Sequence, residues 1–302
     1  MEFEAGVIGE KEFVWAQRRA TIEVVAEMVA AGVEVISDGQ IRWDDPASYI
    51  CRALSGFQIA EDLIPVPVDR IGWIRPIIVD DFRFLSERSP VDVRPALTGP
   101  LSLALMCKPG IYGEDIRSLT LDLARALNRE LQGLEAAGAK FVLLEEPLLL
   151  TRRDLIHLFT DAATELLREV KIPVMLETSH GDITSVAREL LELPFGGYAL
   201  DLVRGPDNDL LLESCDRWGD RTVQLDLIDT ENSTVENAEA IRLKLLRYAE
   251  LYDPGLLWVG PCAGLGALPR DSAFEKLRSL HRGVQMARRE LARQEAPGGR
   301  IP

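Results

Sequence analysis

Short apolar runs alternate with amphipathic stretches along most of the chain. From residue 10 to 32, and again from 116 to 138, apolar positions recur every three or four residues, which predicts helices. Apolar runs with the length of buried strands lie at residues 33–37, 91–97, 140–144, 173–177, 197–202, 222–228 and 256–259. Strands that alternate with helices in this way predict an α/β fold with a parallel sheet, the TIM-type (β/α)8 barrel.

The pattern supplies seven strand signals, whereas a barrel of this type has eight strands. A weak strand at Phe3–Ile8, the part near residues 76–79 of a proline-rich hairpin expected at 63–79, or a partner chain could supply the eighth. Further helices are expected at residues 46–56, from 101, and at 153–170, 183–193, 235–251 and 271–292. Because no stretch resembles a linker, residues 1–302 are expected to form a single domain.

The acidic composition narrows the range of partners. The 302 residues include 34 Lys and Arg against 49 Asp and Glu, a formal charge of −15. Such a field repels nucleic acid and anionic membrane, so neither is an expected partner. No run reaches the roughly 18 to 20 apolar residues of a membrane span, and the Met-Glu-Phe-Glu start lacks the basic region of a signal peptide. A cytoplasmic location is therefore expected.

Four cysteines are scattered along the chain without CxxC spacing: Cys51, Cys107, Cys215 and Cys262. A small disulfide-bonded domain or a zinc ribbon would show closely spaced pairs. The distribution therefore favours reduced thiols.

Polar side chains gather just past the ends of several predicted strands. The strand at 173–177 runs into Glu177, Ser179, His180 and Asp182. In a TIM-type barrel, residues past the carboxyl ends of the strands line the mouth where active sites lie. Carboxylates also follow the other strands: Asp38, Glu145, Glu146, Asp201, Asp226, Asp229 and Glu231. The sequence therefore predicts one acidic basin, in which Arg42, Arg75, Arg94 and Arg204 are the available counterions.

Eight motifs at these strand ends carry a family resemblance. They are Val35-Ile-Ser-Asp-Gly-Gln-Ile-Arg42, Trp73-Ile-Arg-Pro-Ile-Ile-Val79, Leu97-Thr-Gly-Pro100, Leu144-Glu-Glu-Pro147, Glu177-Thr-Ser-His-Gly181, Leu200-Asp-Leu-Val-Arg204, Ile228-Asp229 and Gly260-Pro-Cys-Ala-Gly-Leu265. In order and spacing they resemble the catalytic (C-terminal) barrel of cobalamin-independent methionine synthase, within the uroporphyrinogen decarboxylase-like superfamily. The likeness spans roughly residues 10 to 290 and implies a one-carbon transferase with the barrel fold.

The resemblance implies a zinc ion, which in the family is held by His, Cys, Glu and Cys and activates the homocysteine thiolate to attack the methyl group of methyltetrahydrofolate. This chain departs from that ligand set. The family's His-x-Cys reads Glu177-Thr-Ser179, its Glu reads Asp201, and its second Cys reads Ala263. Only a carboxylate at residue 201 is kept in kind.

The resemblance also implies the substrate-binding residues. Asp38, Gln40 and Arg42 occupy a substrate-binding segment, with Gln40 where the family has Glu. The neighbouring pair Glu145 and Glu146 corresponds to the family's Asp-Glu and is likewise expected to bind substrate.

The expected catalytic residues lie after the strand at 222–228. Asp229 and Glu231 occupy the family's Asp-x-His, with Glu231 at the position of the catalytic His. The chain thus departs from the family at the catalytic His as well as at the zinc ligands.

Three interpretations of the metal site remain open. A shifted set of Glu177, His180, Asp201 and Cys262 could hold zinc if the loops aim these side chains together. Alternatively the ligand set has eroded, with Cys262 a small buried hydrophobe. In the third interpretation the carboxylate oxygens hold a harder ion such as Mg²⁺.

Three functions follow from these patterns. The first is a divergent methyl transferase that acts on a thiol or a related small acceptor. The second is a catalytically inactive barrel that binds a small molecule, a partner subunit or a second copy of itself, because the family's opening strand has no counterpart before residue 10. The third is a lyase or decarboxylase that uses carboxylates without a metal.

Overall fold

A computed structural model describes residues 9–214 and 217–295. The chain forms two compact units: residues up to Val142 together with Arg168–Ile172, and Leu143–Leu167 together with the chain from Pro173 on. Strands and helices alternate in both, so the α/β class is confirmed. The strand predicted at Phe3–Ile8, and Cys215, lie outside the described residues. The prediction that residues 1–302 form a single domain stays a prediction.

The first unit carries two pairs of strands among its helices. Its elements are α1 (Glu10–Ala30), β1 (Val35–Ile36), α2 (Pro46–Cys51), β2 (Leu54–Ile59), β3 (Pro65–Trp73), α3 (Val79–Ser86), β4 (Asp92–Val93), β5 (Ala96–Thr98), α4 (Pro100–Met106) and α5 (Ile116–Ala136). β1 and β4 pair in parallel, and β2 and β3 form an antiparallel hairpin. The core includes the fully buried Leu97, Leu101, Leu123 and Leu127.

A buried carboxylate in α5 organises the start of α3. Glu130 is fully buried, and its Oε1 accepts the backbone N–H groups of Ile77 at 2.9 Å, Ile78 at 2.7 Å and Val79 at 3.0 Å. Its Oε2 accepts the indole N–H of Trp73 at 2.7 Å. The first N–H groups of a helix have no partner within the helix, so Glu130 supplies the cap that α3 lacks locally.

The second unit is built on parallel strands in the spatial order β10-β9-β8-β7-β6. Its elements are β6 (Val142–Glu145), α6 (Ile156–Leu166), β7 (Val174–Thr178), α7 (Ala187–Leu191), β8 (Gly197–Asp201), α8 (Asp207–Ser214), β9 (Thr222–Ile228), α9 (Ala238–Ala249), β10 (Leu257–Pro261) and α10 (Arg270–Glu295). Asp201 lies opposite Asp226, and Asp226 lies opposite Gly260, so the carboxyl ends of β8, β9 and β10 are level. No helix among the described residues is long and apolar enough to cross a membrane.

The prediction of a helix at residues 46–56 is wrong in its second half. α2 ends at Cys51, and Leu54 begins β2. Gly56 has a φ of +84°, and a Cβ there would lie 2.5 Å from the carbonyl oxygens of Asp69 and Arg70. The glycine therefore marks an irregular position in a hairpin, where the register shifts between Ser55 and Phe57.

The prediction of a hairpin at residues 63–79 is also misplaced. β3 ends at Trp73, and residues 76–78 lie in no strand before α3 begins at Val79. Because Glu130 takes the N–H groups of residues 77–79, these cannot bond to a neighbouring strand. The suggestion that residues 76–79 complete the barrel is therefore wrong.

Other boundaries differ for local reasons. The strand predicted at 91–97 is two short strands, β4 and β5, which flank Pro95, a residue without a backbone N–H to donate. The sequence did not predict α8 or α3, each of eight residues: α8 carries a weak apolar pattern, and α3 has no side-chain cap of its own at its start. The remaining strand predictions agree with the structure to within a few residues.

Candidate active site

The second unit brings most of the predicted site residues to one edge of its sheet. Glu145 and Asp201 are the last residues of β6 and β8, Glu177 lies near the end of β7, and Cys262 directly follows β10. The others follow strand ends: Glu146, His180, Asp229 and Glu231. The carboxyl ends of parallel strands share an edge, which is why residues so far apart in sequence meet.

Asp201 joins two loops at this edge. It is fully buried, and its Oδ1 accepts the backbone N–H groups of Val203 at 2.9 Å and Arg204 at 2.8 Å. Its Oδ2 accepts the backbone N–H of His180, from the loop after β7, at 3.1 Å. Both oxygens of this carboxylate therefore accept backbone N–H groups, so each buried acceptor has a partner within the protein.

Cys262 is a protonated thiol in this arrangement. It is fully buried, its Sγ lies 3.6 Å from the carbonyl oxygen of Asp226, and its side chain is hydrogen-bonded to Asp201. Burial raises the pKa of the Cys262 thiol well above its usual range, and the charge of Asp201 raises it further. Zinc binds the thiolate, so Cys262 would have to lose its proton and its hydrogen bond to Asp201 to take the role that the shifted ligand set gives it.

His180 and Glu177 differ in their access to solvent. His180 has a φ of +63°, and its side chain is 46% exposed, with Nδ1 lying 3.8 Å from Oε1 of Glu231. Glu177 is buried, and its carbonyl oxygen accepts the backbone N–H of Glu146 at 2.9 Å. The left-handed turn at His180 directs its backbone N–H to Asp201, while its imidazole lies beside Glu231.

The shifted set of Glu177, His180, Asp201 and Cys262 therefore does not fit a zinc ion. The carboxylate of Asp201 accepts three backbone N–H groups, and the thiol of Cys262 is hydrogen-bonded to the same carboxylate. Within residues 9–214 and 217–295, no group of three or more His, Cys, Asp and Glu side chains could hold a metal ion. Because this ligand set disagrees with the geometry, the function proposed below for the site does not depend on zinc.

Arg204 links the two predicted catalytic carboxylates. Its Nη2 lies 2.9 Å from Oδ1 of Asp229 and 3.1 Å from Oε2 of Glu231. The pKa of Asp229 is held below its usual range, first by the backbone N–H of Glu231 and then by the charges of Arg204 and Lys276. Glu231 is 66% exposed. The group therefore presents a solvent-accessible carboxylate beside an accessible imidazole.

A buried ion pair supports this loop from below. Lys276 of α10 is fully buried, and its Nζ lies 2.8 Å from Oε1 of Glu236 and 2.6 Å from the carbonyl oxygen of Thr234. The same Oε1 accepts the backbone N–H of Asp229 at 2.9 Å. The other carboxylate oxygen, Oε2, is buried without a partner. Lys276 of helix α10 thus holds the side chain of Glu236, which in turn fixes the position of Asp229.

Neither Glu236 nor Lys276 was predicted from sequence as a site residue. Both lie in or beside helical stretches, away from any strand end, and their spacing along the chain carries no motif. Arg204 could be named as a counterion because it follows β8. Lys276 lies at a position where the pattern of α10 predicts an apolar residue. This misplaced lysine is the signal that could have identified it as a structural residue.

The remaining predicted site residues, Asp38, Gln40 and Arg42, lie in the first unit. Asp38 Oδ1 accepts the backbone N–H of Gln40 at 3.1 Å, and Gln40 has a φ of +54°. Arg42 forms an ion pair with Asp81, whose other oxygen accepts the hydroxyl of Tyr49 at 2.5 Å. Burial raises the pKa of Asp38 and of Asp81, and in Asp81 it outweighs the opposing effect of Tyr49 and Arg42.

Two donors in this cluster have no hydrogen-bond partner among residues 9–214 and 217–295. Nη2 of Arg42 and Nε1 of Trp43 are both buried and make no hydrogen bond. The guanidinium of Arg42 lies over the ring of Phe84 at 5.0 Å, and the ring of Trp43 stacks on that of Tyr49 at 5.2 Å. These groups are therefore fixed by packing, with donor capacity left over, as a binding segment requires.

Comparisons with known proteins agree on one family. Residues 75–250 match the family model described as the cobalamin-independent synthase, N-terminal domain. The sequence resemblance had pointed to the C-terminal barrel of the same family.

The chain is 28% identical over 304 aligned residues to the methionine synthase of Saccharolobus solfataricus, covering 96% of this chain and 90% of that protein. It is 27% identical over 301 residues to the methionine synthase of Pyrococcus furiosus, covering 96% and 88%.

A solved structure confirms the fold. The B12-independent methionine synthase of Shewanella sp. W3-18-1, in complex with selenomethionine, superposes with a TM-score of 0.85 at 19% identity, covering 94% of this chain and 91% of that one. The TIM-type α/β barrel predicted from the alternation of strands and helices is therefore confirmed as the fold class.

Proposed function

The chain belongs to the cobalamin-independent synthase family, and from that membership we propose that it is a methyl transferase of the methionine-synthase type, acting on a thiol or a related small acceptor. One observation carries the proposal: the likeness to a protein named methionine synthase extends over 90% of that protein, so this chain corresponds to nearly the whole of it. An isolated shared fold would not favour this function over another, whereas a likeness along the whole length does.

The accessible pair His180 and Glu231 is the proposed base. In this reaction His180 accepts the proton of the acceptor thiol, and the thiolate sulfur then forms a bond to the methyl carbon. The bond between that carbon and the donor breaks, and its electron pair stays on the donor. Glu231, 3.8 Å from His180 Nδ1, stabilises the imidazolium that forms. Arg204 holds Asp229 and Glu231 in place.

Zinc is what the family resemblance implies, but the donor set described above does not suit it. The proposal therefore takes no step through a metal. Elemental analysis of the purified protein separates the alternatives: zinc bound in a one-to-one ratio would mean that Asp201 and Cys262 give up their present hydrogen bonds to coordinate it. Activity that survives a chelator is the expected result.

The test is methionine formation from homocysteine and methyltetrahydrofolate by the purified protein. His180→Ala should lower kcat about 100-fold, the usual contribution of a general base. His157→Ala, which changes an exposed histidine of α6, is the matched control and should leave kcat unchanged. No methionine, together with no homocysteine binding by calorimetry, would refute the proposal.

The second candidate is a catalytically inactive barrel that binds a small molecule or another chain. It is favoured by the contacts within the shifted ligand set, where the thiol of Cys262 is hydrogen-bonded to the carboxylate of Asp201. Sedimentation velocity at decreasing concentration tests the partner form of this proposal: a homo-oligomer that persists would support it, and a monomer that turns over homocysteine would exclude it.

A further inference from the structure

Two cysteines that the sequence separates widely meet in the first unit. Cys51 is the last residue of α2, and Cys107 directly follows α4 as its C-terminal cap. The two helices pack against each other. The thiol of Cys51 is hydrogen-bonded to the thiol of Cys107. Neither cysteine belongs to the site described above, and both are free thiols in the structure.

The surroundings of the two thiols differ. Cys51 is 1% exposed, whereas Cys107 is partly exposed. A small oxidant from solvent would therefore meet Cys107 first. The hydrogen bond to Cys107 and burial raise the pKa of the Cys51 thiol, so Cys51 is the less nucleophilic of the two towards an oxidant while it is shielded. This is the order of an accessible reacting cysteine and a shielded resolving cysteine.

We propose that Cys51 and Cys107 form an intramolecular disulfide when the protein meets a peroxide. The sulfur of Cys107 attacks one peroxide oxygen, the O–O bond breaks, and water leaves, so that Cys107 becomes a sulfenic acid. The sulfur of Cys51 then attacks the sulfenic sulfur, the S–O bond breaks, and the sulfenic hydroxyl leaves as water with the Cys51 proton. Two thiols are oxidised and one peroxide is reduced to two waters.

The position of this bond gives it a structural consequence. α2 also carries Tyr49, which binds Asp81, the partner of Arg42. A disulfide between Cys51 and Cys107 would join the end of α2 to the end of α4, and so restrict the movement of the helix that carries Tyr49. It would also close a loop of more than fifty residues, which restricts the unfolded chain strongly.

Cys262 offers a contrast within the same chain. It is fully buried, and its sulfur faces the carbonyl oxygen of Asp226 and the side chain of Asp201 rather than another thiol. Burial does not set Cys51 apart from Cys262, so the proposal depends on the contact between the thiols of Cys51 and Cys107 and not on the number of cysteines.

The experiment oxidises the reduced full-length protein with hydrogen peroxide under native conditions. Counting free thiols should show a loss of two of the four, and peptide mapping should find Cys51 joined to Cys107. The midpoint of thermal unfolding should rise by about 5 °C, as expected for a bond that closes a long loop. Cys107→Ser should abolish the linked peptide and the shift, and Cys262→Ser should retain both.

Three results would overturn the proposal: a sulfinic acid at Cys107 with Cys51 still reduced, a disulfide that joins two chains, or a link that forms only after unfolding. The peptide map of the unsubstituted protein decides by itself if Cys107→Ser fails to fold. The inference is independent of the proposed function, because none of its readouts measures methyl transfer.

Discussion

At the scale of single residues, buried carboxylates in this protein hold backbone segments together. Glu130 gathers the N–H groups of residues 77–79, and Asp201 gathers those of His180, Val203 and Arg204. A carboxylate that accepts several backbone N–H groups gives each of these buried donors a partner. Removal of one would leave several donors unsatisfied at once, at a cost far above that of a surface substitution.

Glu130→Ala should lower the free energy of unfolding by about 3–5 kcal/mol, because three backbone N–H groups and the Trp73 indole lose their acceptor. Urea unfolding followed by tryptophan fluorescence measures this. Arg129→Ala, an exposed neighbour on the same helix, is the control and should change stability by less than about 0.5 kcal/mol. Equal effects of the two substitutions would mean that the N–H groups of residues 77–79 form hydrogen bonds to water in the variant.

The contribution of Asp38 to the free energy of unfolding should change with pH in the opposite direction to that of a surface carboxylate in an ion pair. Its pKa in the folded protein is raised by burial, so between the unfolded value and the folded value the native state binds more protons. Stability is then lost as pH rises through this window. Asp38→Asn removes that loss, so its stability relative to the unsubstituted protein should increase from pH 4 to pH 7. A flat difference across urea titrations at several pH values would contradict the assignment.

The acidic basin illustrates how much of the site the sequence could predict. Residues at strand ends such as Asp201 and Asp229 could be placed together because parallel strands end at one edge. Their partners could not, since the bond from Asp201 to the backbone of His180 depends on a left-handed turn at His180, and that turn has no glycine to reveal it. The shifted zinc set stays a prediction: the sequence supplies its donors but not the hydrogen bonds that Asp201 and Cys262 already make.

At the scale of elements, long periodic helices and apolar strands were predictable, and short elements set by distant contacts were not. α5 and α10 show clear apolar stripes, and β6 begins with three consecutive apolar residues, Val142–Leu144. α3 begins where Glu130 supplies its cap, which no local pattern records. The hairpin of β2 and β3 begins at Leu54, earlier than predicted, and Pro65 and Pro67, which were expected to interrupt it, lie within β3.

Helix α10 should matter to the site through Lys276. Lys276→Met removes the cation beside Glu236 and leaves a buried carboxylate that still faces the backbone of Asp229, which should cost about 3–5 kcal/mol of stability. Adding Glu236→Leu to this variant removes the unpaired carboxylate and should recover part of the lost stability. Chemical denaturation of the four members of this cycle gives the coupling energy. Additive single effects would show that the pair does not act as a unit.

At the scale of the whole molecule, the charge of −15 is the dominant feature. Repulsion among unpaired carboxylates opposes the compact state, and salt screens it: the Debye length falls from about 30 Å at 0.01 M to about 3 Å at 1 M. The midpoint of thermal unfolding should therefore rise by about 2 °C or more over this range of sodium chloride. A falling midpoint would mean that the ion pairs contribute more than the repulsion does.

The contact between Glu130 and the start of α3 also bears on the order in which the chain folds. α3 is short, and the carboxylate that satisfies its first N–H groups lies 51 positions further along, in α5. A helix of two turns has little stability in isolation. Its amides should therefore gain protection from hydrogen exchange only when α5 docks, later than the local β2–β3 hairpin, and the nascent chain cannot complete α3 until α5 has been synthesised.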